Sequence, residues 1–190
     1  MKINFYLLLV LLISISCGKK SESETNTKIE KEAKSFIPVY GQKYFSYDQI
    51  DFYHSDFAEN NILELDKKKN NSKIDKLRKD IIIGDFPENI KEIGFLKLMD
   101  RIGYIKKEIP KNKFIEIDKI FIDKTVDESG TYACIAVYRD ILVFKNQGKI
   151  VGIAKVCFSC QQHQIIGTHV NTHNFGQNKD YKKLEIILNQ

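Results

Sequence analysis

Two runs of strand-forming residues joined by a short polar turn constrain this chain more than any other feature. Ala133 to Lys145 is rich in Val, Ile, Tyr and Phe, Lys149 to Phe158 is rich in Ile and Val, and Asn146-Gln147-Gly148 lies between them. A glycine in a short polar gap between two such runs is a hairpin signal. In the first run the even positions carry Cys134, Ala136, Tyr138, Leu142 and Phe144, and the odd positions carry Ile135, Val137, Ile141 and Val143. Side chains alternate across a strand, so apolar residues at both parities predict a strand covered on both faces, in the middle of a sheet. Arg139-Asp140 interrupts the run. A charged pair inside a covered strand is costly unless partnered. It reads as a bulge or strand-end ion pair, or else as an arginine aimed at a ligand. With a three-residue loop at 146–148, Lys145 faces Lys149 and Cys134 faces Cys160; a two-residue loop or a bulge removes that pairing.

The rest of the chain mixes short helical and strand-like stretches. Phe36 to Phe57 is aromatic-rich and is broken by Pro38 and Gly41, which favours short strands or loops. Its aromatics read as core packing or as a ligand-binding wall, and His54 among them reads as structural or exposed. Ile74 and Leu77, with Ser72 as cap, predict a short helix over 71–80. Ile90, Ile93, Leu96, Met99 and Ile102 predict a helix over 88–102, ended by Gly103. Tyr104 to Ile109 reads as a strand, Phe114 to Phe121 as a third helix, and Gln164 to Gly167 as a third strand after the hairpin. Tyr181, Leu184, Ile187 and Leu188 predict a C-terminal helix over 180–188, capped by Asn178. The expected fold class is α+β. A mainly antiparallel sheet is built on a C-terminal hairpin (about 132–158) plus a third strand, packed with several helices including the C-terminal one. A 190-residue chain that is 43% hydrophobic suffices for one such core, placed here at 36–190.

Residues 1–17 read MKINFYLLLVLLISISC. Lys2 supplies a positive charge, Tyr6 to Ile13 is unbroken apolar sequence, and Ser14 and Ser16 precede Cys17. This is a secretory signal, shorter than an ordinary membrane-spanning helix. A cysteine after a small residue at the end of such a run resembles the lipobox of bacterial lipoproteins, with Ser14 standing where Leu is usual. The resemblance implies removal of residues 1–16, acylation of Cys17, and a lipid bilayer as partner; several acyl chains anchor firmly where one is marginal. Residues 17–35 then read as the lipidated cysteine and a polar tether without aromatics. Gly18, rather than Asp, follows the cysteine. By the rule known for enteric lipoproteins this implies the cell envelope and its outer membrane.

The formal net charge is +5, but lysines are interleaved with acids, as in KKKNNSKIDKLRKD. Nucleic-acid sites cluster basic residues with exposed aromatics, so these are solvated faces and no nucleic acid is expected as partner. YRDILVF, KIVGIAKVCFSC, NTHNFGQ and DYKKLEIIL together resemble the C-terminal region of small, uncharacterised lipoproteins of Gram-negative envelopes. That resemblance implies the same address and brings no catalytic residue.

Cys157-x-x-Cys160, His163 and Cys134 are the candidate chemistry. One reading is a site for zinc or copper(I) made by the three cysteines and the histidine. It requires a turn between Cys157 and Cys160, because residues three apart in a strand point to opposite faces. Thiol–disulfide exchange would want the first cysteine at a helix N-terminus, whereas the residues after Cys160 read as strand. A structural disulfide, Cys134–Cys160 or Cys157–Cys160, suits an exported chain and leaves the third thiol buried. No Gly-rich phosphate loop, G-x-S-x-G or H-E-x-x-H occurs. Two classes therefore stand: a non-enzymatic binding or structural lipoprotein, and a metal-binding or thiol-redox lipoprotein using Cys134, Cys157, Cys160 and His163.

Overall fold

The run that is apolar at both parities is the middle of a sheet. The computed structural model describes residues 39–67, 71–125 and 134–190. The expected signal segment 1–16, the expected lipidated cysteine and tether 17–35, and the part of the expected hairpin before Cys134 lie outside those residues. Asp140–Asn146 (β5) is flanked by Gln49–His54 (β2) and Lys149–Cys157 (β6), with Ile105–Glu108 (β3) and Gln162–Ile166 (β7) at the edges. Every neighbouring pair is antiparallel. A second ladder pairs Tyr40–Lys43 (β1) with Ile122–Lys124 (β4). The helices are Glu59–Lys67 (α1), Lys73–Ile82 (α2), Phe114–Asp118 (α3) and Asp180–Leu188 (α4). This is the α+β class, with antiparallel sheets and a C-terminal helix.

The five-stranded sheet is a wall between two cores. Ile50, Phe52, Leu142, Phe144 and Val156 join Ile117, Phe121, Leu184 and Leu188, from the α3 and α4 side. Tyr53, Ile141, Val143 and Ile153 point the other way and join Ile62, Ile81, Met99 and Ile102. Each fully buried aliphatic or aromatic side chain is worth about 1.5–3 kcal/mol. Burial on two faces therefore explains why β5 needs no polar alternation.

The hairpin departs from its expected outline in three ways. It starts at Asp140 rather than near 132: the Tyr138 N–H donates to the Ile82 carbonyl at 2.7 Å, and the Arg139 carbonyl accepts from the Ser55 N–H at 2.9 Å. The segment before β5 thus crosses to the end of α2 instead of extending the ladder. The loop has two residues, Gln147 and Gly148, at φ 49° and 74°, the left-handed pair that matches strand twist in a tight hairpin. A bulge then shifts the register between Phe144 and Lys145, so that Phe144 faces Gly152. Gly152 is required there: the Phe45 ring fills the space where its Cβ would be.

The expected helix over 88–102 is reduced to a 3-10 turn at Ile93–Leu98. The Asn89 side chain accepts from the Lys91 N–H, and the Glu92 carboxylate accepts from the N–H groups of Glu88 and Asn89. Such local side-chain bonds favour turns over helix, and Gly94 lowers helix propensity further. Phe95, Met99 and Ile102 still reach the core. At α4 the capping position is Lys179 rather than Asn178; both residues are left-handed, at φ 63° and 56°, and no side chain caps. Asp180 sits in the first turn and is buried against Lys124 of β4. A carboxylate at a helix N-terminus is favourably placed, and this one ties α4 to the small ladder.

Candidate functional site

Cys157 ends β6, the chain turns through 158–161, and β7 begins at Gln162, the cross-strand partner of Cys157. The turn carries Cys160 back toward the crossing segment. Cys160 and Cys134 are joined by a disulfide, with Cα atoms 6.1 Å apart. The ladder register does not create this pairing, since Cys134 lies outside β5; the crossing segment does. Cys157 is a free, buried thiol. Its sulfur accepts from the Val137 N–H at 3.3 Å and lies 3.4 Å from Ser159 Oγ. Ala136, Tyr138, Cys157 and Cys160 form a small core of their own.

His163 does not join the cysteines. It faces Val156 across the ladder, whereas Cys157 faces Gln162. Alternation therefore puts His163 on the α4 face of the sheet and Cys157 on the other. His163 Nδ1 and the Tyr181 hydroxyl are hydrogen-bonded at 2.9 Å, and the Phe175 ring centroid is 4.7 Å away. Burial pushes the imidazole down to about 4, opposed by a hydrogen bond to the Thr172 backbone, so it is neutral near pH 7. Among the described residues no group of three His, Cys, Asp or Glu side chains is placed to hold a metal ion. Two of the sulfurs are bonded to each other and the imidazole lies across the sheet, so the four side chains expected as ligands are not brought together. A strand, not a helix, follows Cys160.

The residue that sequence reasoning missed beside the cysteines is Lys155. Two positions before Cys157 and on the same face, it is 1% exposed. Its Nζ donates to the carbonyls of Gly84 at 2.6 Å and Phe86 at 2.9 Å, and stands 4.4 Å from the Tyr138 ring centroid. Burial pushes its pKa down to about 7, with Asp85 opposing. Gln164, its partner across the ladder, donates to the carbonyls of Asp85 and Pro87. Together Lys155 and Gln164 fasten the 84–87 loop to the sheet.

At this same end of β5, where Asp140 faces Val156, His54 and Asp140 are cross-strand partners, with Nδ1 and Oδ1 2.7 Å apart; Asp56 lies 3.0 Å from Nε2. Burial works against protonation of His54, but Asp140 and then Asp56 outweigh it and raise its pKa above the ordinary value. Arg139 does not pair with Asp140 in a hydrogen bond; its Nε donates to the Phe57 carbonyl at 2.7 Å. Its cleft of about 310 Å³ is shared with Asp140, Ser159 and Glu185. The aromatic stretch is mostly core: Tyr44, Phe45, Phe52 and Tyr53 are buried.

No protein-family model matches the chain, and neither a curated protein nor a solved structure does. Among the described residues no helix is long and apolar enough to cross a membrane.

Proposed function

We propose that this protein is a lipoprotein of the cell envelope, anchored at the outer membrane through acylated Cys17 and carrying residues 36–190 as a non-enzymatic binding or structural domain. The observation that carries the reading is the apolar run Tyr6 to Ile13 followed by Ser14-Ile15-Ser16-Cys17. The Cys134–Cys160 disulfide supports it, because such bonds persist in oxidising compartments. A non-enzymatic role is supported by the engagement of Cys157 and His163 inside the fold, where each has a hydrogen-bond partner. Replacing Cys17 by Ala should release the protein from the membrane fraction and abolish acyl labelling. Retention in the membrane with unchanged lipid label refutes the anchor.

A further inference from the structure

Four of the large apolar side chains left in solvent belong to one region. Val39 is 68% exposed, Tyr40 50%, Ile115 69% and Ile186 49%. Tyr40 and Ile186 line an open cleft of about 300 Å³ with Glu116, Lys119, Lys183 and Ile187, between the start of β1, α3 and α4. Ile115 of α3 is one turn before Lys119, the residue that caps the helix in helical conformation, so both lie on one side. Val39 is held beside this cleft by its N–H, which donates to Thr125 Oγ1 at 3.0 Å.

The charges around these side chains are unbalanced toward positive. Glu116 is 3.9 Å from Lys113, and Asp180 is shared by Lys124 and Lys183. One cation of that trio is in excess, and no ion pair of Lys119 occurs among the described residues. Apolar side chains beside Lys119 and Lys183 fit the interface of a bilayer: the apolar groups enter the headgroup boundary and each lysine gains from anionic lipid. The described chain also begins here, at Val39. The 21 residues 18–38 separate it from Cys17, a span of at most roughly 75 Å even when fully extended. An anchor at Cys17 therefore keeps this face at high effective concentration near the bilayer.

We infer that the face formed by Val39, Tyr40, Ile115, Lys119, Lys183 and Ile186 docks on the anionic lipid surface of the bilayer; this rests on the anchoring at Cys17 proposed above. The apposition turns the face carrying α3 and the end of α4 toward lipid.

The test uses a chain beginning at residue 17 with Cys17→Ser, which keeps the whole compact unit 36–190 and carries no acyl group. The protein contains no tryptophan, so Tyr40→Trp reports from the cleft alone and Ile105→Trp, on the exposed edge strand β3, reports from outside it. Vesicles containing phosphatidylglycerol should shift Tyr40→Trp emission to the blue, with no shift for Ile105→Trp and none on phosphatidylcholine vesicles. Lys119→Glu should lower the vesicle partition coefficient by roughly tenfold, and Ile115→Ser with Ile186→Ser should abolish binding while leaving the melting temperature unchanged. Absence of a shift on phosphatidylglycerol overturns the docking face. So does a Tyr40→Trp emission already blue-shifted without vesicles, whether it depends on protein concentration (a second copy) or vanishes on removal of residues 17–35 (the tether). Acyl labelling of the unmutated protein reads the anchor separately, so either idea can fail without the other.

Discussion

Between pH 6 and pH 9 the unfolding free energy should rise because of one side chain, Lys155. Its ammonium is 1% exposed and meets two backbone carbonyls and the Tyr138 ring. Burial brings its pKa from 10.5 to about 7. Below the folded value both states carry the proton, and the folded state bears the whole cost of a buried cation. Between the folded and unfolded values the folded amine is neutral while the unfolded chain still binds a proton, so stability climbs with pH; above the unfolded value the effect is complete. Proton linkage over this window amounts to roughly 2–3 kcal/mol. Lys155→Met keeps an unbranched side chain of similar length, removes the titration, and leaves the Gly84 and Phe86 carbonyls without their donor, a cost of about 1–3 kcal/mol. The stability difference between parent and variant should therefore move in the parent's favour by roughly 2–3 kcal/mol from pH 6 to pH 9, or about 5–10 °C in melting temperature for a unit of this size. The difference cancels groups present in both proteins, including His54, whose raised pKa withdraws stability as pH rises through it. Urea unfolding followed by circular dichroism at pH 6, 7.5 and 9, with the disulfide kept oxidised, measures it. A parent–variant gap that stays constant across the three pH values refutes the reasoning.

Replacing Cys134 and Cys160 together by Ser should cost about 3.5 kcal/mol by the loop-entropy relation for a separation of 26 residues; alkylation of the denatured, unreduced chain lacking Cys17 should find one thiol, that of Cys157, and a count of three sinks the disulfide. Gly152→Ala pushes a methyl group into the Phe45 ring and should destabilise by about 1–3 kcal/mol, partly recovered with Phe45→Leu; a neutral single variant contradicts the packing. The His54 midpoint followed by NMR should lie above 6.5 and fall in Asp140→Asn. The stabilisation from that pair is present below 6.5 and disappears as pH climbs through the folded midpoint, so a midpoint unmoved by the substitution would show that Asp140 does not set it.

The middle strand was legible because Ile141, Leu142, Val143 and Phe144 are apolar at both parities, which suits a strand covered on both faces and not a half-solvated one. The helices over 73–82 and 180–188 were legible from three- and four-residue spacing, and Ser72 does cap, accepting from the Asp75 N–H at 3.1 Å. Where β5 begins was not, because its limit is set by the backbones of Ile82 and Ser55, remote in sequence. The helix expected over 88–102 failed on Asn89 and Glu92, whose side chains compete for local N–H groups. Helix α1 went unread because Ile62, Leu63 and Leu65 among acids and asparagines make too short a pattern. At the site, the parity rule that separates Cys157 from His163 is elementary, but applying it needs the register between β6 and β7. Lys155, His54 with Asp140, and Lys124 with Asp180 are likewise products of register between distant segments. A lone charged residue in an apolar run marks such a position without naming its partner.

A sheet with apolar side chains on both faces is hydrophobically degenerate. Sliding β5 by one residue would exchange Leu142 and Phe144 for Ile141 and Val143, and both cores would still be greasy. The usual penalty for a slipped strand, apolar groups turned to water, is largely missing here. Discrimination falls to residues that stabilise little in themselves: Gly152, which alone fits the Phe45 ring, and Asp51, 1% exposed and paired with Lys145 at 2.5 Å and Lys106 at 2.9 Å. A slip of β5 would take Lys145 away and leave that buried carboxylate only Lys106 of β3, at a cost of about 1–3 kcal/mol. Folding fidelity in this protein is thus written in a different alphabet from its stability: aliphatic bulk supplies the cohesion, and one glycine and one buried acid choose which of several equally cohesive arrangements is native.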